Sequence, residues 1–304
     1  IPILRKLKVG QIERSDGPQS HLKKQGTPTM GGTIMIVSIT LITLGIAYYF
    51  YRQGDMETAK KLLPLLIASV GFGIVGFVDD FKKLVLKNTI GLKPAYKMLG
   101  LLIISVLYTV YLVQVLDLGT ETLIPFAKTY ITLPIWVYIP FAIFVMLGTT
   151  NAVNLTDGVD GLSTSVTTII ITCLTVIGMI LGIKEIMIFG CIVCGSNLAF
   201  LLFNLHPAKV MMGDTGSLLL GGVIASISLY LRMPLLLLII ALVPVLETVS
   251  VIIQVAYFKR TGNRIFKMAP LHHHFELSGW NENKVVSIFS IITLVFCVIG
   301  INII

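Results

Sequence analysis

"LLPLLIASVGFGIVGFVDDFKK" spans residues 62–83. It is apolar almost without interruption through Val78, then meets two acids and, one residue later, two lysines. An apolar pattern with no polar stripe marks a helix surrounded on all sides by apolar matter, which is either a large core or a bilayer. The chain as a whole decides between these. It is 55% hydrophobic and only 12% charged over 304 residues, with a mean hydropathy of +0.91. A soluble domain carries roughly 25% charged residues. A chain with half that charge cannot cover a water-facing surface, and this much apolar sequence also excludes intrinsic disorder.

Eight further stretches share the character of residues 62–80. Together the nine cover about 30–51, 62–80, 95–116, 133–151, 161–183, 186–204, 216–231, 234–258 and 285–304. Each is close to the ~20 residues a helix needs to cross ~30 Å of hydrocarbon. The expected fold is therefore an all-α polytopic membrane protein with nine transmembrane helices, forming one domain over residues 1–304. Cys173, Cys191, Cys194 and Cys297 all lie inside apolar runs and read as small buried residues rather than a metal or redox pair.

The net charge of +8 raises the question of nucleic acid, but in a membrane protein excess Lys and Arg mark cytoplasmic loops. Loops on the side of residues 1–29 hold 17 of these residues: Arg5, Lys6, Lys8, Arg14, Lys23, Lys24, Lys82, Lys83, Lys87, Lys93, Lys97, Lys209, Lys259, Arg260, Arg264, Lys267 and Lys284. The opposite side holds 6: Arg52, Lys60, Lys61, Lys128, Lys184 and Arg232. The first side is expected to be cytoplasmic, with the C-terminus outside.

Five polar segments that are hard to explain structurally all fall on that side. "SHLKKQGTPTMGG" (20–32) offers tight turns and exposed N–H groups beside Lys23 and Lys24, suited to phosphate. Asp79 and Asp80 end their span with side chains about 100° apart, which suits two different tasks, although pairing with Lys82 and Lys83 would also account for them. "NAVNLTDGVDG" (151–161) repeats Asn151, Asn154, Asp157 and Asp160 every third residue, a mixture of amide and carboxylate suited to a nucleobase and ribose or to turn capping. "FNLHPAKVMMGDTGS" (203–217) places Asp214 at a helix start, as a cap or as a ligand for a hard divalent cation. "PLHHHFE" (270–276) puts three histidines in a basic loop. Consecutive residues rarely converge on one zinc, so a phosphate or sugar contact is the better reading. Glu247, inside a span, stands apart from this cluster and is left out of the candidate set.

Carboxylates, lysines, Asn, His and Gly-rich loops on one face, with no Walker A, GxSxG or HExxH sequence, suit metal-assisted transfer of a phosphoryl-type group. One substrate would come from water and the acceptor, a lipid phosphate, from the membrane.

These same stretches resemble the phospho-N-acetylmuramoyl-pentapeptide transferase branch of the polyprenyl-phosphate N-acetylhexosamine-1-phosphate transferase superfamily. "TPTMGG", "MGDTGS" and "HHHFE" are the most specific, and the resemblance extends from Ser20 to Glu276. It implies Mg²⁺-dependent transfer of phospho-MurNAc-pentapeptide from UDP-MurNAc-pentapeptide to undecaprenyl phosphate, giving lipid I and UMP at the cytoplasmic face of a bacterial plasma membrane. It also implies a homodimer, inhibition by nucleoside antibiotics, and ten helices, the first of which would end in "IPILRKLKVGQ". By that resemblance Asp214 is the magnesium ligand. Asp79 and Asp80 are the catalytic aspartate pair, one acting on the acceptor phosphate as base or nucleophile. Asn154, Asp157, Asp160 and Asn204 belong to the uridine pocket and active site. Lys24, Lys83 and Lys97 surround the phosphates. Gln254 and His272 to His274 contact the nucleotide, with His273 grouped among the catalytic residues. Met211 falls where relatives can carry an aromatic that stacks on uracil. The competing expectations are a relative that uses UDP-GlcNAc and, from a different class, an ion-coupled transporter.

Overall fold

The computed structural model describes residues 26–84, 86 and 91–304. Lys24 lies outside the described residues. The chain is built from helices α1 (Gly32–Arg52), α2 (Met56–Leu84), α3 (Pro94–Gln114), α4 (Ile135–Thr156), α5 (Leu162–Ile180), α6 (Lys184–Asn204), α7 (Gly213–Tyr230), α8 (Leu237–Ile240), α9 (Leu242–Thr261), α10 (Leu271–Glu276) and α11 (Glu282–Ile303). Eight of these are long and apolar enough to cross a membrane: α1 to α6, α9 and α11. The protein is a polytopic membrane protein.

The expected span at 216–231 is present as α7, but its environment differs from that of the other eight. Residues 215–230 are all buried, and α2, α4, α1 and α5 pack around it. Asp214, three serines and the glycines Gly216, Gly221 and Gly222 dilute its apolar content. A helix wrapped by other helices can carry small polar residues, because close packing replaces the contact with lipid.

Two expectations are corrected. The fold is not all-α, because a hairpin of β1 (Glu121–Ile124) and β2 (Thr129–Thr132) connects α3 to α4, with Glu121 opposite Thr132. "ETLI" and "TYIT" are short and rich in β-branched residues, and the turn between them places Phe126 and Lys128 at positive φ. The second correction is the single span expected at 234–258, which is broken. A 3₁₀ turn (Pro234–Leu236) and α8 end at Ala241, and α9 begins afresh at Leu242. Pro244 causes the break. It has no N–H for the carbonyl of Ile240, and its ring would collide with that carbonyl in a continuous helix. The Cys297 thiol donates to the freed Ile240 carbonyl, with Sγ 3.7 Å away.

Glycines set the closest approach at one end of the bundle. The backbone of residues 28–32 pairs with Met211 and Met212: Met211 N–H donates to Pro28 at 2.8 Å, and Gly31 N–H donates back to Met211 at 2.9 Å. In α2, a Cβ on Gly76 would stand 2.2 Å from the Asp214 carbonyl oxygen. Glycine inside a helix costs about 0.5–1 kcal/mol relative to Ala, and here it allows α2 to touch the first turn of α7. Gly76→Val should separate the two helices and lower the melting temperature in detergent by several degrees, as overpacking costs about 1–3 kcal/mol. Gly45→Val should leave it unchanged, since a Cβ at Gly45 meets nothing within 4 Å. Parallel thermal melts of the two variants check this.

Candidate active site

α2 is 29 residues long, so it rises ~44 Å and exceeds the hydrocarbon by several turns. Its last two turns carry Asp79, Asp80 and Lys83 into contact with the start of α7. Asp79 and Asp80 are nearly fully buried, and a buried charge must be paired or hydrogen-bonded. The two do different jobs. Asp80 serves α7: one oxygen accepts the Asp214 N–H at 3.2 Å, and the other accepts the Thr215 N–H at 2.9 Å and the Thr215 hydroxyl at 2.6 Å. The first-turn N–H groups of α7, which have no partner within the helix, are thus capped from a different helix. Met212, at the N-cap position, offers no side-chain bond. Gly213 at φ +73° makes the approach possible, because a Cβ there would lie 2.7 Å from Asp80 Oδ2.

Asp79 holds the cations. Its Oδ2 lies 2.6 Å from Lys83 Nζ and 3.7 Å from Lys97 Nζ, and its Oδ1 accepts the Leu92 N–H at 2.7 Å. Lys83 and Lys97 also reach Asp214 Oδ2, at 3.0 and 2.9 Å. Asp214 Oδ1 accepts from Asn154 Nδ2 at 2.8 Å, and the same amide donates to Ser217 at 2.8 Å. Six of the expected residues, from four helices, are thereby joined: Asp79, Asp80 and Lys83 of α2, Lys97 of α3, Asn154 of α4 and Asp214 of α7. Ser217, one turn into α7, is a member that sequence reading missed; its position three residues after Asp214 is the available signal.

Asp157 and Asp160 lie in the turn between α4 and α5. Burial, followed by the charges of Asp214, Asp80 and Asp160, pushes the Asp157 carboxyl up to about 8. Asp160 is held by the Ala208 N–H and by His206 Nδ1, both at 3.0 Å, and His206 also lies 3.5 Å from Glu282. This network ties the 205–212 loop to the start of α11.

The histidine run forms α10, and hydrogen bonds assign its rings. His272 Nδ1 lies 3.1 Å from Glu247, and His273 Nδ1 lies 2.8 Å from Glu276, so both carry their proton on Nδ1. His274 Nδ1 accepts the Lys267 N–H at 3.1 Å and leaves its proton on Nε2. Glu276 sits three residues after His273 on one helical face, a spacing visible in "HHHFE".

Three further expected residues make contacts that brace the surrounding chain. Asn204 is buried between the Thr164 hydroxyl and the Val210 carbonyl, at 2.6 and 3.0 Å. Gln254 binds the backbone of Ile265 and Phe266 and shapes the 262–270 loop. Met211 is buried at the contact with residues 28–31. Beside the site, an apolar cavity of about 420 Å³ runs between α4 and the broken 234–261 segment. Val145, Ala152 and Val153 line one wall, and Leu238 and Val249 line the other. The α4 wall ends one residue before Asn154.

Residues 62–232, more than half of the chain, match glycosyl transferase family 4. The full chain is similar to the phospho-N-acetylmuramoyl-pentapeptide-transferase of Clostridium perfringens (strain 13 / Type A), with 52% identity over 99% of this chain and 91% of the relative. It is 48% identical to that of Clostridium botulinum (strain Alaska E43 / Type E3), over 99% of this chain and 89% of the relative. The Acetivibrio thermocellus protein of the same name is 46% identical, over 99% and 88%. The chain belongs to the phospho-N-acetylmuramoyl-pentapeptide-transferase family. All the residues joined at the Asp214 cradle except Ser217 are ones that the resemblance assigns to the reaction, and all lie within residues 62–232.

In this transferase Asp157 holds a proton at neutral pH when folded and loses it when unfolded, where its pKa is about 3.8. An acid that binds more protons in the native state makes stability fall as pH rises between those values. Asp157→Asn should therefore flatten the decline in melting temperature between about pH 4 and pH 8, with its gain largest at the upper end. A pH series of thermal melts on both proteins checks this.

Proposed function

We propose that the chain transfers phospho-MurNAc-pentapeptide from UDP-MurNAc-pentapeptide to undecaprenyl phosphate, giving lipid I and UMP, the first membrane step of peptidoglycan synthesis. The observation that carries the reading is the Asp214 carboxylate, held by Lys83, Lys97 and Asn154 beside the apolar cavity along α4. A polar centre beside an apolar groove lets a charged donor enter from water and a prenyl phosphate enter from the membrane. The strong Lys and Arg asymmetry supports a site on the cytoplasmic face of a bacterial plasma membrane, with α7 as the ninth helix through it. One-sided placement of the polar residues weighs against an ion-coupled transporter, whose site would lie near the midplane.

The site's residues fit a divalent cation. Asp79 and Asp214 share two lysines with Asp80 beside them, and burial together with the charges of Asp214, Asp80 and Asp160 raises the Asp157 carboxyl to about 8. Hard oxygen donors in excess over cations are what Mg²⁺ binds. Asp214 would hold it, and Mg²⁺ would offset charge on the diphosphate oxygens.

The protein's own groups position and neutralise. Lys83 and Lys97 can turn from Asp214 toward phosphate oxygens without leaving the site. Lys24, outside the described residues, adds a third cation, and His273 grips the sugar or its phosphates. The acceptor phosphate, mostly dianionic near neutral pH because its second pKa is about 6, attacks the β-phosphorus. The new O–P bond forms as the bond from that phosphorus to the bridging oxygen breaks, and UMP keeps the electron pair. Asp79 takes up the proton of the minor monoanionic form. Neither member of the aspartate pair suits a covalent intermediate. Asp80 is committed to capping α7, and an Asp79 oxygen already held by an ammonium is a weak nucleophile. Enzyme incubated with donor but no prenyl phosphate should accumulate no phosphosugar adduct by mass spectrometry; an adduct on Asp79 would establish the two-step route instead.

A UMP-release assay with undecaprenyl phosphate tests the whole reading. Wild type should require Mg²⁺ and prefer UDP-MurNAc-pentapeptide to UDP-GlcNAc. Asp214→Ala should lose activity by three orders of magnitude or more, as losing electrostatic stabilisation of several kcal/mol implies. UMP release retained in that variant would sink the assignment.

A further inference from the structure

Glu247 lies in α9, within a membrane-crossing helix, and is fully buried. A carboxylate there is expensive and persists only with a partner or a purpose. Its partner comes from α10. Glu247 Oε1 accepts the His272 backbone N–H at 3.2 Å, and Oε2 faces His272 Nδ1 at 3.1 Å. Both oxygens thus point at one residue, which is itself fully buried.

The other ring nitrogen of His272 has no hydrogen-bond partner among the described residues. It is pressed toward Gly158, where a Cβ would lie 2.2 Å from Nε2. Gly158 sits between Asp157 and Val159 in the α4–α5 turn, the turn that reaches the Asp214 cradle through Asn154. An unpaired buried nitrogen costs about 1–3 kcal/mol. If the pair existed only to hold the α9–α10 corner together, that cost would have no return. Its nearest neighbour is the backbone of Gly158, so the protonation of this nitrogen bears directly on how the α4–α5 turn packs.

We infer that Glu247 is a positioning residue: by accepting both the backbone N–H and the Nδ1–H of His272, it fixes that ring's proton and sets an unprotonated Nε2 against Gly158, in the turn that carries Asp157 and Asp160. The inference rests on the transferase reading of the site. The His272 backbone N–H is always a donor, so it claims one acceptor oxygen. A carboxylate has a second oxygen for Nδ1–H, and Nε2 becomes the free face of the ring. An amide at the same position has only one oxygen. That oxygen would go to the backbone N–H, its NH₂ would face Nδ1, and the ring would adopt the opposite tautomer with its proton on Nε2. Glu247→Gln therefore keeps the shape of the α9–α10 corner and turns an N–H, in place of a lone pair, toward the Gly158 turn.

The test combines a nitrogen spectrum with kinetics on the full chain in detergent. In ¹⁵N-histidine-labelled protein without substrate, the His272 Nε2 resonance should be of the unprotonated type in wild type and of the protonated type in Glu247→Gln. With UDP-MurNAc-pentapeptide and undecaprenyl phosphate, kcat should fall roughly 10–100-fold, the loss usual for removing a partner that orients a functional histidine. The melting temperature should stay within about two degrees. Glu247→Asp, which keeps two acceptors, should recover part of the rate. Adding Glu247→Gln to His272→Asn should cost nothing further. An unchanged kcat with the tautomer reversed would overturn the proposal. So would a fall in kcat that tracks a fall in melting temperature while Nδ1 stays protonated. Loss of UMP release in wild type would instead strike at the transferase reading, and the nitrogen shift would still report on Glu247.

Discussion

The first turn of α7 begins inside the protein, and its backbone N–H groups have to be satisfied there. This constraint organises the functional end of the molecule. Asp80 meets it from α2 by accepting from Asp214, Thr215 and the Thr215 hydroxyl. To do so, α2 must come close enough that only glycine fits at position 76, and the loop before α7 must turn at Gly213 with positive φ. Once those contacts form, Asp214 has one possible place, facing Lys83, Lys97 and Asn154. The capping bond and the active site are two sides of one junction.

Charge follows from the same junction. Asp79 and Asp214 are tolerated because Lys83 and Lys97 each touch both of them, and Asp80 because α7 supplies its donors. Removing one partner of a buried pair typically costs ~3–5 kcal/mol, so these lysines stabilise the junction. Burial, and after it the charges of Asp214, Asp80 and Asp160, raises the Asp157 carboxyl to about 8.

Much of this was legible in the sequence. Spans appear in linear composition, and sidedness appears in the distribution of Lys and Arg. The Asp79–Asp80 pair, Asp214, Asn154 and the histidine run stood out because polar residues near a membrane boundary need a reason to be there. Other features depended on distant partners. The break at Ala241 follows from Pro244, yet prolines also sit inside α2 and α4 without dividing them. The loop contacts of Asn204 and Gln254 could not be read from the sequence, because an amide that binds a nucleotide and one that holds a loop are the same residue type. Glu247 was set aside because its helix position alone placed it far from the cluster, and only α10, arriving some 25 residues later, reaches back to it.

The sequence by itself determined the solvent of this protein, its approximate spans, the expected side of its polar segments and the class of chemistry those segments suit. These depend on composition and short-range order, which every residue reports directly. The tertiary structure decided which aspartate caps a helix and which holds the lysines, which nitrogen of His272 lies against the α4–α5 turn, and which apolar wall borders the polar centre. Those outcomes depend on pairs of residues up to about 135 positions apart, such as Asp80 with Thr215. A hydrogen bond acts over about 3 Å, so its partners become known only once the chain has brought them together.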